Sequence, residues 1–380
     1  MTENLLEKLK VTDFSLLSEL VRQDQHSPEF AITNWIVELL SHKGFGGSEG
    51  QFLFHGHGFM GETEKTWSLV LKIQKEPLEQ QPTDDYFYWR RELLTAQSEW
   101  LAHLPGPVRA QRIYRATEED GFAWLWMEYL YDTIPQSWTL KEYGFAARQL
   151  GQWHGAYFTG VPQPDAIWLC RDHIRSWLGN QTPDDGWSDS NIATHFSGTA
   201  RTRHKALWAD LDLFLTTLNH LPQVFSHYDF QRRNLFICKT DNQQDEVVAI
   251  DWALCGVGPI GGDLFHLVGL SAAFFDFEVE RIRDLETVAF AAYLDGLRSA
   301  GWIGDANHAR LGYCIWAAAY CGAAIPPVAS YFGSEAGQSV ALQNFGVSGA
   351  ELLNNWALML DYCLDCADEA RELMKILRTM

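Results

Sequence analysis

Positive charge is scarce in this chain. Its 380 residues carry 29 Lys and Arg against 49 Asp and Glu, a formal net charge of −20 at pH 7. So acidic a protein repels phosphate backbones and anionic headgroups, which argues against any role built on nucleic acid. Long apolar runs are missing too: none reaches the roughly 18 residues of a membrane span. The start, Met1 to Glu7, is acidic and amphipathic where a leader would be basic and then apolar. These absences predict a cytoplasmic protein with no membrane partner. Cysteine is sparse: the 7 residues are odd in number and scattered, which predicts reduced thiols and no disulfide frame. Cys363 and Cys366 form a lone C-x-x-C inside a helical pattern, with no second pair to complete a zinc site, so core packing is the reading. Repeats, low-complexity tracts and proline-rich linkers are absent.

Core-forming residues are plentiful. The chain is 47% hydrophobic and holds 16 Trp, enough for one large domain or two lobes. Residues 1–30 read as a polar helical lead-in, with leucines at helical spacing. From Ala31 the pattern turns to strands: Trp35 to Leu40, Gln51 to Phe54 and Trp67 to Ile73, joined by glycine-rich turns as an antiparallel meander. Gly56 to Gly61 match G-x-G-x-x-G, but only a short stretch separates Gly61 from Lys72 and no helix follows. This segment is therefore read as the start of the second turn, not as a phosphate loop. The phosphate-covering turn is placed at Gly44 to Gly50, with Gly46 and Gly47 as candidate contacts. Tyr88 to Leu104 predicts a helix closed by Pro105-Gly106-Pro107, and two further strands end near Leu130. A five-stranded sheet with one main helix thus occupies 31–130. Downstream, 131–380 is mostly helical, over 140–158, 172–178, 200–218, 276–301, 305–324 and 348–378.

One stretch carries chemistry. Ser226-His227-Tyr228-Asp229-Phe230-Gln231-Arg232-Arg233-Asn234 is followed by the apolar strand Val247 to Ile250 and then Asp251-Trp252. Phosphoryl transfer needs a carboxylate beside the acceptor hydroxyl, with an amide oxygen and a second carboxylate to hold Mg²⁺ against the nucleotide phosphates. Hard oxygen donors suit Mg²⁺, which takes few protein ligands. Asn234 as a loop cap and Asp251 as a turn starter is the bland alternative, but their joint spacing argues against coincidence. Lys72 ends a Val-Leu-Lys strand from which it can reach phosphates. Glu92, opening the next helix, can hold its ammonium, with Glu99 as the fallback. Trp302, Trp316 and Tyr320 can form an aromatic wall, and Asp276, Glu278 and Glu280 an acidic cluster, although core packing is the commoner role for such aromatics.

Four segments, Leu150 to Ala156, His227 to Asn234, Ile250 to Trp252 and Gly258 to Leu264, resemble the aminoglycoside phosphotransferase and choline kinase superfamily over roughly residues 30 to 300. The resemblance implies an α+β, protein-kinase-like two-lobe fold. A small antiparallel five-stranded N-lobe with one main helix would precede a larger, mostly helical C-lobe. It implies an ATP- or GTP-dependent O-phosphotransferase with Mg²⁺, acting on a hydroxyl of a small molecule: aminoglycoside-like, choline-like, a sugar or an amino alcohol. By position, Asp229 matches the family's catalytic Asp, and Asn234 and Asp251 its metal ligands. Lys72 and Glu92 match its phosphate-contacting pair. Met127 and Tyr129 fall at the segment that binds the nucleobase through backbone groups, while His227 and Asp263 support the catalytic loop. Tyr228 departs from the glycine that antibiotic kinases carry there, and its ring is expected to narrow the acceptor side. The alternatives are a catalytically silent kinase-like binding or regulatory protein, and a protein kinase of the same fold.

Overall fold

The computed structural model describes residues 2–41, 48–134, 137–240 and 242–378. Two compact units emerge, one comprising Met1–Leu104, Arg109–Thr133 and Phe236–Leu254, the other Pro105–Val108, Ile134–Leu235 and Cys255–Met380. The architecture is that of the protein-kinase-like fold: a five-stranded antiparallel sheet with its helix, and a predominantly helical C-lobe.

The first unit opens with α1 (Thr2–Leu9) and α2 (Phe14–Asp24). The Asp13 carboxylate caps α2 by accepting from the Ser15 backbone N–H at 2.9 Å. The sheet then runs β1 (Ala31–Ser41), β2 (Ser48–Met60) and β3 (Thr63–Lys75). After α3 (Arg91–Gln97) and the short β4 (Val108–Ala110) come β5 (Ile113–Glu119) and β6 (Phe122–Glu128). The strand order is β1-β2-β3-β6-β5. Alternation along β3 divides its side chains between two layers. Leu69, Leu71 and Ile73 pack with Phe52 and Phe54 against Leu17, Leu20 and Val21 of α2. Val70 points the other way and joins Trp89, Leu93, Leu125 and Met127. Lys72, two residues on from Val70, shares that second face.

Two expectations need correction here. Gly56 and Gly58 do not begin a turn, because β2 continues to Met60 and only Gly61 lies in the turn. They are glycines because β1 bulges towards them between Ile32 and Asn34. A Cβ on Gly56 would stand 2.1 Å from the Asn34 carbonyl oxygen, and one on Gly58 2.3 Å from the Phe30 ring. The helix read over 88–104 is also shorter. It ends at Gln97, where the Ser98 hydroxyl donates to the Thr95 carbonyl at 2.7 Å, and Glu99 adopts a left-handed φ of 61° before a 3₁₀ turn, Trp100–His103.

The second unit holds α4 (Leu140–Tyr157), α5 (His173–Leu178), α6 (Ser190–His195) and α7 (Ala200–His220), followed by β7 (Gln223–Ser226). The chain then crosses to the first unit, where β8 (Leu235–Lys239) and β9 (Asp245–Ala249) join β4 in a small sheet. It returns as β10 (Gly256–Pro259), antiparallel to β7. Short α8 (Gly262–Phe265) and α9 (Ser271–Ala273) flank a π turn, after which α10 (Ile282–Ser299), α11 (Ala306–Trp316), α12 (Ile325–Gly333), α13 (Glu335–Phe345) and α14 (Gly349–Arg378) complete it. The sequence pattern had not separated α6, α12 or α13. The helix read from 276 starts only at Ile282, after a 3₁₀ turn. The stretch Ala306–Gly333 is long and apolar enough to cross a membrane by composition, yet 89% of its apolar window is buried within the protein. It is a core element. All 7 cysteines are free thiols and all are buried.

Gly56→Ala tests the β1–β2 approach. The methyl meets backbone, which cannot rotate away, so the variant is expected to lose about 1–3 kcal/mol in urea denaturation. A wild-type midpoint would show that β1 yields freely.

Candidate active site

The first unit positions a buried cation. Lys72 is 5% exposed, and the strand alternation that places it opposite Leu125 turns it towards α3. Its Nζ donates to Glu92 Oε2 at 2.7 Å and to Asp251 Oδ1 at 2.9 Å. Glu92, in the first turn of α3 and 3% exposed, also accepts from Gln74 Nε2 at 2.8 Å. Burial works against the Lys72 ammonium, but the carboxylates of Asp251 and Glu92 outweigh it and hold its pKa above the ordinary lysine value. Asp251 follows β9 with a left-handed φ of 61° and stays about a third exposed while its carboxylate is paired with Lys72. Neighbouring Arg91, wholly buried, ties α3 down by donating to the carbonyls of Tyr86 at 2.9 Å and Ala253 at 3.1 Å.

The second unit positions a carboxylate. After β7 the chain turns through His227 and Tyr228 to Asp229, then closes in a 3₁₀ turn, Arg232–Asn234. Asp263, fully buried in α8, accepts from the backbone N–H groups of His227 and Tyr228, each at 2.7 Å. Burial pushes the Asp263 carboxyl up, but His154, His266 and His227 prevail and hold it below the usual aspartate range. The Asp229 backbone N–H donates to His227 Nδ1 at 3.1 Å. The Asp229 carboxylate in turn accepts from Asn234 Nδ2 at 2.6 Å and from Gln231 Nε2 at 2.8 Å. With its nitrogen engaged, Asn234 offers its amide oxygen to other partners. Asn234 in this unit and Asp251 in the first each carry hard oxygen donors, the type that Mg²⁺ takes.

Residues 60–302 match the profile of the phosphotransferase enzyme family. The chain belongs to that family. No curated protein matches it. Among solved structures it is similar to a microcompartment-associated aminopropanol kinase, at 14% identity over 94% of this chain and 98% of that one, with a TM-score of 0.51. An amicoumacin kinase complexed with AMP-PNP, Ca²⁺ and Ami follows at 13% identity, 96% coverage of each chain and 0.48. The Plasmodium vivax ethanolamine kinase shows 13% identity, 95% and 92% coverage, and 0.46. At this identity the likeness concerns the fold. Family membership supports a kinase-type enzyme that uses a nucleotide and a small-molecule acceptor.

Other residues singled out in this phosphotransferase fall as follows. Met127 is buried at the end of β6 and Tyr129 follows the strand, packed beside it. Gly46 and Gly47 lie outside the described residues. His154 is a core histidine, its Nδ1 at 2.9 Å from the Tyr293 hydroxyl. The proposed aromatic wall separates: Trp316 and Tyr320 stack with each other, whereas Trp302 packs on Phe158. The proposed acidic cluster is largely spent on arginines, with Asp276 held by Arg233 at 3.0 Å and Glu278 by Arg281 at 3.3 Å. Two contributors went unread, Gln74 and Gln231. Gln74 stands two residues beyond Lys72 on the extended β3, a spacing that returns a side chain to the same face. Gln231 instead reaches the Asp229 carboxylate across a tight turn closed by its own N–H on the Asp229 carbonyl at 2.8 Å.

Tyr228 does not extend into open space. Its ring is 1% exposed and stacks on Trp316 at 5.0 Å, with the His173 ring tilted against it at 4.3 Å. Gly258 makes room, since a Cβ there would lie 1.7 Å from the Tyr228 hydroxyl. A left-handed φ of 61° is strained for a bulky residue, and the stacking holds it there. Beneath lies His266, whose Nε2 accepts from Trp316 Nε1 at 2.8 Å. Burial, opposed by Asp263 and aided by His227, lowers the His266 pKa to about 4.

That depression sets a pH dependence. An unfolded histidine titrates near ~6.5, so between there and about 4 the unfolded chain binds the extra proton. Stability contributed by neutral His266 is therefore present above the unfolded pKa and falls on acidification, by about 3 kcal/mol at most. Thermal unfolding from pH 7 to 4 should show this loss. His266→Gln, which keeps an acceptor for Trp316, should flatten it, and an unchanged slope would remove His266 as the cause.

Proposed function

We propose that this phosphotransferase moves the γ-phosphoryl group of ATP or GTP to a hydroxyl of a small molecule, with Mg²⁺. The observation that carries the reading is the buried Lys72 ammonium held at once by Glu92 and Asp251. An exposed structural lysine has no need of two carboxylates. A cation clamped in this way is fixed in position and stays charged to meet phosphate oxygens. Glu92 sets its direction, while Asp251, which holds the ammonium, would also serve the metal. Asn234 and Asp251 would hold Mg²⁺, which when bound neutralises charge on the phosphates.

Asp229 receives the acceptor. Its carboxylate accepts the hydroxyl hydrogen and aims the oxygen at the γ-phosphorus. As the new P–O bond forms, the bond to the β-phosphate oxygen breaks, the nucleoside diphosphate leaves and the proton passes to Asp229. Asp263 and His227 keep the loop in place through backbone hydrogen bonds. The nucleobase is assigned to the backbone around Met127 and Tyr129, and the phosphate-covering turn to Gly46 and Gly47. Acceptor candidates are aminoglycoside-like, choline-like, sugar and amino-alcohol hydroxyls. Paired Asp276 and Glu278 give no support to a polycationic acceptor over the others.

A screen of hydroxylated amines, sugars and antibiotics for acceptor-dependent release of ADP or GDP tests the reading. Asp229→Ala should lower transfer by about 10²- to 10⁴-fold and leave nucleotide affinity within a few fold of wild type. Equal turnover in that variant would sink the assignment.

A further inference from the structure

Asp229 is clamped from both sides. Asn234 Nδ2 donates to its Oδ2 at 2.6 Å, and Gln231 Nε2 donates to its Oδ1 at 2.8 Å. The first donor belongs to the motif, whereas the second does not. An ionised carboxylate only accepts, so the amide nitrogen of Gln231 must be the atom that faces it. Gln231 is 7% exposed, and its Oε1 has no hydrogen-bond partner among the described residues. Leaving a buried amide oxygen unsatisfied is costly, and a residue kept only for packing would avoid the cost with an apolar side chain. The backbone around it is fully used: its N–H donates to the Asp229 carbonyl at 2.8 Å, and its carbonyl accepts from the Asn234 N–H at 2.9 Å. Gln231 is thus fixed at both main-chain groups, with its side chain spent on one oxygen of one carboxylate.

We infer that Gln231 is a positioning residue for the transfer step. By holding Oδ1 while Asn234 holds Oδ2, it fixes the rotation of the Asp229 carboxylate, so that the oxygen meeting the acceptor hydroxyl is presented in one orientation. The inference rests on the role proposed above for Asp229. It adds that the orientation comes from two amide donors, one of them outside the motif. A carboxylate free to rotate would spend most of its time misaimed, and catalysis by placement is sensitive to such errors.

Two variants test this in the full chain, with ATP and Mg²⁺ as the probe and water as the acceptor. Gln231→Leu removes the donor. Gln231→Glu keeps the size and shape but replaces the donor with an acceptor facing Asp229. Both are expected to lower kcat for ATP hydrolysis by about tenfold or more, the effect of one hydrogen bond to a charged group, with KM for ATP unchanged. The near-isosteric Glu variant should be at least as slow as the Leu variant. A packing role predicts the opposite order, so a Glu variant at wild-type kcat overturns the inference even if the Leu variant does not fold. Asp229→Ala separates the two levels. If it is inactive while both Gln231 variants match wild type, only the positioning role falls. If it turns over normally, or if the wild type turns over neither ATP nor GTP with water or with any acceptor of the screen above, the phosphotransferase reading falls with it.

Discussion

A fully buried carboxylate with two backbone N–H groups on it underlies the second unit. Asp263 accepts from His227 and Tyr228 in succession, which fixes the direction in which the chain leaves β7 and so where Asp229 can be. Desolvating a charge of this kind is expensive, and the cost is offset only when the charge is fully hydrogen-bonded and surrounded by compensating groups. Three histidines and two amide protons provide that environment. The π turn after α8 and the stacking of Tyr228 on Trp316 lie beside this carboxylate, and His266 stays neutral through burial although Asp263 opposes it.

The first unit solves a similar problem with the opposite sign. Lys72 is brought inside by a strand whose neighbours are apolar, and it remains charged because α3 and the end of β9 each deliver a carboxylate. Gln74 then satisfies the glutamate from the same strand. Each unit thus surrounds a buried ion locally, so neither arrangement depends on long surface side chains that salt and solvent would screen.

Much of this is legible in the sequence, and the reasons are physical. Strand alternation around Lys72 and the acid at the start of the next helix lie on opposite sides of a predicted sheet–helix junction, and the structure brings Lys72 and Glu92 to 2.7 Å. Long helices such as α4, α7 and α14 declare themselves by period. What fails is local. Gly56 and Gly58 look like a turn because glycine marks both positive φ and close approach, and only the neighbouring strand tells the two apart. Ser98 ends α3 through a hydroxyl contact that leaves no trace in the apolar pattern. Gln231 and Gln74 look like solvated filler beside a motif; the two-residue spacing of Gln74 from Lys72 on a strand is a legible signal, whereas the tight turn that brings Gln231 to Asp229 is not.

The burial of all 7 thiols carries a practical consequence. Enclosed thiols are shielded from reagents and react slowly. Cys238, for one, is pushed up to about 11 by burial. The folded protein is thus close to silent towards thiol reagents as it stands. A single cysteine introduced on an exposed loop would become the one fast-reacting position, so a fluorophore or spin label could be attached there with the native cysteines left in place.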